Sequence, residues 1–359
     1  MTDAVIAELR VTRHRAPLVR PWGADVRTID VVEVDVETRD GREGTGFSWT
    51  PTIGSAAVAA LLENDIREWA IGRPADARKL WPLLWAHLHE AGSGGITTIA
   101  MAGLDLALWD LESRVHGASL SEHLGAKRSR VAAYGSGVNL HYSLDELRAQ
   151  AGRWAAAGYS AVKMKVGRPE DAARVAAVRE IVGDDVALML DANQRWTLRQ
   201  AERALHELEQ FNPAWIEEPL RADDLASHVR LRESIRTPIA IGENLHTIYR
   251  FREAIDIGAC DIIQPNVVRV GGITPFLEIA ALAVERDVTL RPHLLPEISG
   301  QLALALTAET EVERVEGAGF AELGLLTDDG PVVFDGASMT SAGSSGLGVH
   351  FSERFVLSN

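Results

Sequence analysis

Short apolar runs alternate with amphipathic segments along the chain from about residue 130. The runs are VAAYG, AVKMK, VALMLD, AWIE, PIAIGE, DIIQPN, VTLRPH and VERVE. Each has the length of a strand. The segments between them carry apolar residues at helical spacing, as in Ala201, Ala204, Leu205 and Leu208. Alternating strands and helices predict an α/β fold with a parallel sheet, and this repeat predicts a (β/α)7–8 barrel of the TIM type.

The chain before residue 125 has a different pattern. VIAELRV and TIDVVEVDVET predict two strands, RDGREGTG predicts a turn at Asp40–Gly41, and residues 54–124 are mostly helical. The segment from His14 to Arg27 contains two prolines, a glycine and several cations, so we predict a loop there. We therefore divide the chain into an N-terminal α+β domain (1–125), the barrel (126–322) and a tail (323–359) that returns to the N-terminal domain.

Charged residues stand at the ends of successive apolar runs. Lys165, Asp191, Glu217 and Glu243 follow one another at intervals of 26 residues, which is room for one strand, one helix and two loops. Residues at the carboxyl ends of barrel strands meet at one end of the barrel, the mouth. Three carboxylates at one mouth repel one another unless a cation lies between them, and ligands that are all oxygen atoms suit a hard divalent ion. The sequence therefore predicts that Asp191, Glu217 and Glu243 bind Mg²⁺.

Two lysines accompany these carboxylates. Lys163 and Lys165 are two positions apart in one strand, so both side chains are expected to point into the barrel. For any single one of these residues, an ordinary salt bridge at the barrel end is the simpler interpretation. The complete set at a constant interval favours an active site instead.

Composition and charge exclude some classes of function. The chain has 359 residues, of which 46% are hydrophobic and 24% charged, as is typical of a globular protein. A formal net charge of −15 and a pI near 5.2 argue against nucleic acid as a partner, because nucleic-acid binding needs clustered cations. The single cysteine, Cys260, excludes an internal disulfide and fits a reducing compartment. We find no signal-peptide pattern and no apolar run long enough to span a membrane, so we expect a cytoplasmic protein with no membrane partner. We also expect a homo-oligomer.

An ordered series of motifs resembles a known family. The series is KMKVG, DANQ, WIEEPL, GEN, QPNVVRVGGITPF and RPHLLPEI, preceded by the helix TTIAMAGLDLALWDLESRVHG. It resembles the mandelate racemase-like group of the enolase superfamily over nearly the whole chain. The segments KVGRPED, LMLDANQRW, FNPAWIEEPL, VGGITPFLEIA and SGLGVHFSE are most similar to acid-sugar dehydratases of the galactarate and talarate type. The resemblance implies a TIM-type barrel with an α+β capping domain built from the N-terminal region and the C-terminal tail.

The resemblance also implies roles for individual residues. The residues that match the family's Mg²⁺ ligands are Asp191, Glu217 and Glu243. Lys165 matches the base on one face of the substrate, and Lys163 would assist it. His293 would serve the opposite face as acid or second base, and an unspecialised histidine at the barrel mouth is the minority interpretation.

Further positions match residues around the substrate. Glu313 would donate a hydrogen bond to the substrate carboxylate, and Asn193 would touch the substrate near the metal. Glu218 lies beside Glu217 in a strand and should face the other way. The N-terminal loop covers the barrel mouth in this family and selects the substrate; its candidate residues are Arg15, Arg20 and Trp22. The two arginines could equally be ordinary charged residues on the solvent-exposed surface.

Two positions allow more than one interpretation. Racemases of the family pair the histidine of the seventh strand with an aspartate on the sixth, where this sequence has Asn266. An asparagine can orient the imidazole of His293, but it carries no charge to stabilise the imidazolium. Gly271–Gly272 could cradle a phosphate or carboxylate, although a simple turn before the helix is the favoured interpretation.

We therefore expect a Mg²⁺-dependent lyase that acts on a small carboxylate. It would remove the α-proton of a hydroxy-carboxylate, in the first instance a sugar acid, and expel the β-hydroxyl to give a 2-keto-3-deoxy acid. A racemase or epimerase that forms the same enediolate is the first alternative. A barrel that only binds a ligand or partner is the second, and the full set of lysines and carboxylates argues against it.

Overall fold

The N-terminal part of the molecule is an antiparallel sheet with helices packed on it. The computed structural model describes residues 4–23, 26–51 and 53–358. The strands of this part are β1 (Ile6–Pro17), β2 (Thr28–Thr38) and β3 (Glu43–Thr50), and its helices are α1 (Ser55–Leu61), α2 (Arg67–Ala70), α3 (Ala77–His87), α4 (Ile96–Val115) and α5 (Leu120–His123). The turn at Asp40–Gly41 joins β2 to β3, as the sequence predicts.

The loop predicted from His14 to Arg27 is wrong at its start. His14, Arg15, Ala16 and Pro17 continue β1 and pair with β2. The reason is the alternation of burial, since His14 and Ala16 face the core while Arg15 and Pro17 face solvent. The connection to β2 therefore begins after Pro17.

Helix α4 lies between the sheet and the rest of the molecule. Sixteen of its 20 residues are buried, so it is apolar on nearly every side. Gly46 of β3 allows the backbone of α4 to come close, because a Cβ there would clash with the backbone at Ala107.

The second part of the chain is a ring of eight parallel strands with helices outside it. Its elements are β4 (Arg130–Ser136), α6 (Leu144–Ala156), β5 (Ala161–Lys165), α7 (Asp171–Val182), β6 (Ala187–Asp191), α8 (Leu198–Leu208), β7 (Trp215–Glu217), α9 (Leu225–Ser234), β8 (Ile239–Ile241), α10 (Ile248–Asp256), β9 (Ile262–Ile263), α11 (Ile273–Glu285), β10 (Thr289–Leu290), α12 (Pro296–Ala305) and β11 (Glu311–Val315). Strands β4 to β10 pair in chain order, and β11 pairs with β4. The predicted barrel is confirmed.

Side chains close the last seam of the ring and fill its floor. Between β10 and β11, the hydroxyl of Thr310 donates to the carbonyl of Leu290 at 2.7 Å, and Arg291 pairs with Glu311 at 3.2 Å. The floor is a separate apolar cluster made of Tyr134, Ala161, Met189, Trp215, Ala240 and Ile262. This layer lies on the inward face of the strands, so the polar residues that follow it can face inward only at the mouth.

The C-terminal tail contacts both parts of the molecule. Strands β12 (Val332–Asp335) and β13 (Ser338–Ser341) form a hairpin, and β13 pairs antiparallel with the first residues of β4. Farther along, the backbone N–H of Leu357 donates to the carbonyl of Arg13 at 2.8 Å, and Phe351 packs on Phe47. The tail thus extends the barrel sheet before it reaches the N-terminal sheet. The domain boundaries at 125 and 322 stay predictions.

One carboxylate of α4 ties the N-terminal part to the barrel. Asp105 accepts hydrogen bonds from the hydroxyl and the backbone N–H of Thr274, at 2.6 and 3.0 Å, at the start of α11. A Cβ on Gly272, whose φ is +116°, would clash with that carboxylate. The N–H groups of Gly271 and Gly272 donate to the backbone carbonyls of Val268 and Val267, so the pair forms the turn before α11, and the missing Cβ of Gly272 leaves room for the Asp105 carboxylate.

Among the described residues, the helices are all too short or too polar to cross a membrane.

Candidate active site

Lys163 is a buried cation just above the barrel floor. Its Nζ lies 2.7 and 2.9 Å from the two carboxylate oxygens of Glu217 and 2.8 Å from Oε1 of Glu313. Burial alone would lower the pKa of Lys163, but the neighbouring carboxylates raise it well above its usual range. Met164, between the two lysines, belongs to the core outside the floor, as strand alternation predicts. Lys163 is therefore held as a fixed positive charge.

Lys165 ends β5 and reaches the next strand. Its Nζ lies 2.5 Å from Oδ2 of Asp191. Burial and Lys163 lower the pKa of Lys165, but the charges of Asp191, Glu243 and Glu217 together outweigh them, so the net pKa is raised. A base at this position needs a lower pKa, and a cation that shares the charge of Asp191 would lower it.

Three side chains at the mouth could bind one cation together. Ligand atoms of Glu217, Glu243 and His293 lie within 4.8 Å of one another, and all three residues are buried. Burial and the charge of Asp191 raise the pKa of Glu217 to about 7. Asp191, the third predicted ligand, bonds to Lys165 instead. Glu217 and Glu243 are thus brought together as predicted, and the full set of three carboxylate ligands stays a prediction.

His293 lies between Glu243 and Asn266. Its Nε2 is 2.6 Å from Oε2 of Glu243, and its Nδ1 is 3.1 Å from the amide nitrogen of Asn266. The amide oxygen of Asn266 accepts the backbone N–H groups of Val268 and Arg269, both at 3.1 Å. Because these N–H groups can only donate, the amide nitrogen must face His293 and donate to Nδ1. The ring proton then lies on Nε2 and is donated to Oε2 of Glu243.

Glu313, on β11, is an acceptor in this arrangement. It accepts hydrogen bonds from the hydroxyl of Ser136 at 2.7 Å and from the backbone N–H of Leu294 at 3.0 Å. Burial alone would raise the pKa of Glu313, but Lys163 and His293 lower it to about 2. The predicted donation to a substrate carboxylate would therefore require Glu313 to lose its contact with Lys163 and take up a proton.

Two amides that the sequence analysis did not single out support the cluster. Gln264 donates to Oε2 of Glu217 at 2.8 Å, and Asn139 accepts the backbone N–H of Lys165 at 2.9 Å. Gln264 lies two residues before Asn266, so strand alternation could have placed it on the same inward face. Asn139 lies in the loop after β4, and the sequence carries no comparable signal for it.

Strained backbone is concentrated at the mouth. Seven non-glycine residues have a positive φ in the described chain, and five of them follow β6, β7 or β10: Asn193, Gln194, Glu218, Leu294 and Leu295. Asn193, the predicted substrate contact, donates its backbone N–H to Oδ1 of Asp191 at 2.9 Å. Such strain persists only where surrounding contacts impose it, and it is typical of functional loops.

The two predicted N-terminal arginines are bonded to residues outside the mouth cluster, which consists of Lys163, Lys165, Asp191, Glu217, Glu243, His293 and Glu313. Arg15 forms a two-pronged ion pair with Asp30 at 2.7 and 2.8 Å, within the N-terminal sheet. Arg20 donates to Glu146 at 2.7 Å and covers the ring of Tyr142. The structure therefore does not bring either arginine together with Lys165.

Trp22 lines an apolar cavity of about 110 Å³ beside the loop that follows His293. Leu294, Leu295, Trp49 and Phe320 form other walls of the cavity. The lysines and carboxylates of the mouth cluster do not line it.

A buried glutamate in this cavity makes stability depend on pH. Burial raises the pKa of Glu297 from 4.5 to about 7, and its Oε2 has no hydrogen-bond partner among the described residues. The contribution of Glu297 to stability is therefore complete below pH 4.5 and is lost as the pH rises through about 7. Glu297→Gln should become more stable relative to wild type over that window by up to about 3 kcal/mol, at about 1.4 kcal/mol per pKa unit. Urea unfolding of both proteins at pH 4.5 and 7.5 measures this; a constant difference would contradict it.

Two family models match the chain. The model described as "Mandelate racemase / muconate lactonizing enzyme, N-terminal domain" matches residues 1–125, and the model described as "Enolase C-terminal domain-like" matches residues 146–355. The chain belongs to the enolase superfamily. The second model covers both the barrel strands that carry the mouth cluster and most of the tail.

Individual enolase-superfamily relatives differ in the reaction that their names describe. The chain is 39% identical over 319 residues to a 3,6-anhydro-alpha-L-galactonate cycloisomerase from Streptomyces coelicolor, which covers 86% of this chain and 88% of the relative. It is 39% identical over 295 residues to the L-talarate/galactarate dehydratase of Salmonella typhimurium, and the match covers 80% of this chain and 73% of the relative. The solved structure of a racemase from Streptomyces coelicolor with bound magnesium superposes on this chain with a TM-score of 0.92 at 33% identity. The match covers 98% of this chain and 100% of that one.

The donor set of this enolase-superfamily chain fits magnesium. Solved relatives are liganded with Mg, and this chain places carboxylates and a histidine where they could hold a metal. Burial and the charge of Asp191 raise the pKa of Glu217 despite its contact with Lys163. A divalent cation bound by these oxygen ligands would offset the negative charge that they carry together.

Proposed function

We propose that this enolase-superfamily protein is a Mg²⁺-dependent lyase that removes water from a sugar acid. Lys165 takes the α-proton, and the electron pair moves toward the carboxylate carbon. This electron pair then forms the Cα–Cβ double bond as the Cβ–O bond breaks. The hydroxyl leaves as water with a proton from the imidazolium form of His293, which becomes the neutral imidazole. The enol product becomes a 2-keto-3-deoxy acid. The observation that carries the proposal is the placement of Lys165 at the end of β5 and of His293 after β10, each bonded to a carboxylate of the same mouth.

The cation would be held by Asp191, Glu217 and Glu243. When bound, it stabilises the negative charge that develops on the substrate carboxylate. Neutralising Asp191 would also remove the largest of the interactions that raise the pKa of Lys165, while burial and Lys163 would continue to lower that pKa. Lys163 would remain a fixed cation, with Glu217 and Glu313 setting its position.

The direction of the hydrogen bond between Asn266 and His293 favours elimination over racemisation. A two-base racemase needs an imidazole whose mouth-facing nitrogen can accept a proton. In this structure Asn266 donates to Nδ1, so Nε2 carries the only ring proton; it can donate a hydrogen bond to a leaving hydroxyl but cannot accept a proton. Transfer of a proton from the ring requires the imidazolium, which forms when Nδ1 is protonated and the amide of Asn266 turns away from it. The racemase or epimerase reaction therefore remains the alternative with less support.

Ring opening of a cyclic sugar acid is a second candidate function. The similarity to the 3,6-anhydro-alpha-L-galactonate cycloisomerase over 86% of the chain favours it. The chemistry at Lys165 would be unchanged, because the α-proton is removed in both reactions. Only the leaving group differs: a ring oxygen that stays attached to the product instead of a hydroxyl.

A screen of sugar acids tests the proposal. The purified protein with Mg²⁺ would be incubated with a panel of sugar mono- and diacids and with anhydro- and lactone forms, and products would be followed by NMR in D₂O. The proposal expects a keto acid with loss of water from at least one open-chain acid. Isomerisation of cyclic acids alone would favour the second candidate, and epimerisation without a keto acid would favour the racemase. No reaction and no α-proton exchange would overturn all three.

Asn266→Asp should extend activity to higher pH. The introduced carboxylate can accept a hydrogen bond from Nδ1–H, whereas the amide nitrogen of Asn266 cannot. The imidazolium of His293 should therefore persist to higher pH in the variant. If His293 supplies the proton to the leaving hydroxyl, the basic limb of the pH–rate profile moves upward. Steady-state kinetics from pH 5 to 10 measure this. A loss on the acidic limb instead would assign His293 as a base, and an unchanged profile would mean that the two side chains are not coupled.

A further inference from the structure

Glu218 is a buried carboxyl group that the proposed reaction does not use. It follows Glu217 directly, but β7 ends at Glu217 and Glu218 has a φ of +38°. Its Oε2 accepts hydrogen bonds from Gln194 at 2.9 Å and from Asn244 at 2.7 Å, while its Oε1 is buried without a partner among the described residues. Burial of a carboxyl group with one unpaired oxygen is costly, so its presence here needs an explanation.

The amide of Asn244 connects Glu218 to Glu243. Arg269 donates to the amide oxygen of Asn244. A guanidinium has no acceptor, so the amide oxygen must face Arg269 and the amide nitrogen must face the carboxylates. That nitrogen lies 2.7 Å from Oε2 of Glu218 and 2.9 Å from Oε1 of Glu243. Its two hydrogens can therefore serve one carboxylate each.

Glu243 is consequently held at both of its oxygens. Asn244 binds Oε1, and Nε2 of His293 lies 2.6 Å from Oε2. Arg269 also donates to the backbone carbonyl of Glu243 at 3.2 Å. Of these contacts, the one through Asn244 depends on Glu218, which anchors the same amide nitrogen from the other side.

We propose that Glu218 is a positioning residue for the cation site. Through Asn244 it fixes the rotation of the Glu243 carboxylate, so that this ligand is already oriented when the cation binds. The inference rests on the proposed binding of Mg²⁺ at Glu217 and Glu243. Partners that orient a metal ligand in this way typically contribute about 10- to 100-fold to metal affinity.

Two substitutions separate this role from simple structural burial. Glu218→Gln keeps an oxygen that can accept from both Gln194 and Asn244 and removes only the charge. Glu218→Ala removes the acceptor, so the side-chain amide of Asn244 would be held only by its hydrogen bond from Arg269 and could rotate. Glu297→Ala is the matched control, because it also removes a buried glutamate with one unpaired oxygen, but away from the cation site.

Titration calorimetry with MgCl₂ alone tests the proposal on the folded proteins. Glu218→Ala should raise the Kd for Mg²⁺ by about 10- to 100-fold. Glu218→Gln should stay within about threefold of wild type, since the positioning hydrogen bonds survive, and Glu297→Ala should match wild type. A wild-type Kd in Glu218→Ala would overturn the proposal. So would a Glu218→Gln variant as weak as Glu218→Ala, because then the charge and not the positioning bond would matter.

A second variant keeps the test decisive if Glu218→Ala fails to fold. Asn244→Ala leaves Glu218 in place and breaks its link to Glu243, so it should weaken Mg²⁺ binding to the same extent. An unchanged Kd in Asn244→Ala would overturn the link. The assay needs no substrate, so a wild-type protein that binds Mg²⁺ and converts no sugar acid would refute only the proposed reaction.

Discussion

Lys165→Ala should abolish exchange of the substrate α-proton with solvent. Lys165 is the proposed base, and general base catalysis contributes about 10²- to 10⁴-fold to rate. The loss should appear in kcat, because the proton is transferred only in the transition state. NMR of a substrate in D₂O measures exchange directly, even where the complete reaction is slow.

The control for this variant is a lysine far from the mouth. Lys127→Ala removes an exposed lysine before β4 and should exchange at the wild-type rate. Circular dichroism and the melting temperature would show that Lys165→Ala is folded. If Lys165→Ala exchanges the α-proton at the wild-type rate, another base removes that proton, and His293 would be the next candidate.

Removal of the cation should have a comparable effect. Chelation of divalent ions should abolish turnover and added Mg²⁺ should restore it, because the cation would offset the negative charge of the buried carboxylates and the negative charge that develops on the substrate. Glu217→Gln should cause a loss that Mg²⁺ does not reverse. A loss of several kcal/mol of transition-state stabilisation corresponds to at least about 10³-fold in rate.

A binding measurement separates the role of the metal from an effect on the fold. Mg²⁺ should raise the melting temperature of the wild type and of Glu297→Gln, but not of Glu217→Gln. Full turnover in excess chelator would exclude the metal from the reaction. Stabilisation of Glu217→Gln by Mg²⁺ equal to that of the wild type would move the cation away from Glu217.

Much of the barrel could be derived from the sequence because its signals are periodic. The interval of 26 residues placed Lys165, Asp191, Glu217 and Glu243 at successive strand ends, and the alternation of strand side chains placed both lysines inside. These are local properties, so they can be read without knowing the packing. The barrel and its order of strands followed from them.

The parts that were missed depend on contacts between distant elements. Which carboxylate each lysine binds, and the direction of the hydrogen bond at Asn266, are set by side chains and N–H groups from other strands and loops. Glu218 was expected to face away from Glu217 as a strand neighbour would, but the strand has already ended and a left-handed residue turns it toward Asn244. Arg15 was assigned to a loop because nearby prolines suggested one, whereas burial of His14 and Ala16 extends the strand.

The contact between Asp105 and the start of α11 limits how this protein can be recombined with its relatives. An N-terminal domain taken from a homologue would join this barrel stably only if it brings an acidic side chain at the equivalent position, because the N–H and hydroxyl of Thr274 would otherwise lose their acceptor. Conversely, a foreign barrel would accept this N-terminal domain only with a residue lacking a Cβ where Gly272 stands. Asp105 and Gly272 therefore form a matched pair across the junction, and libraries of chimaeras should inherit or exchange them together.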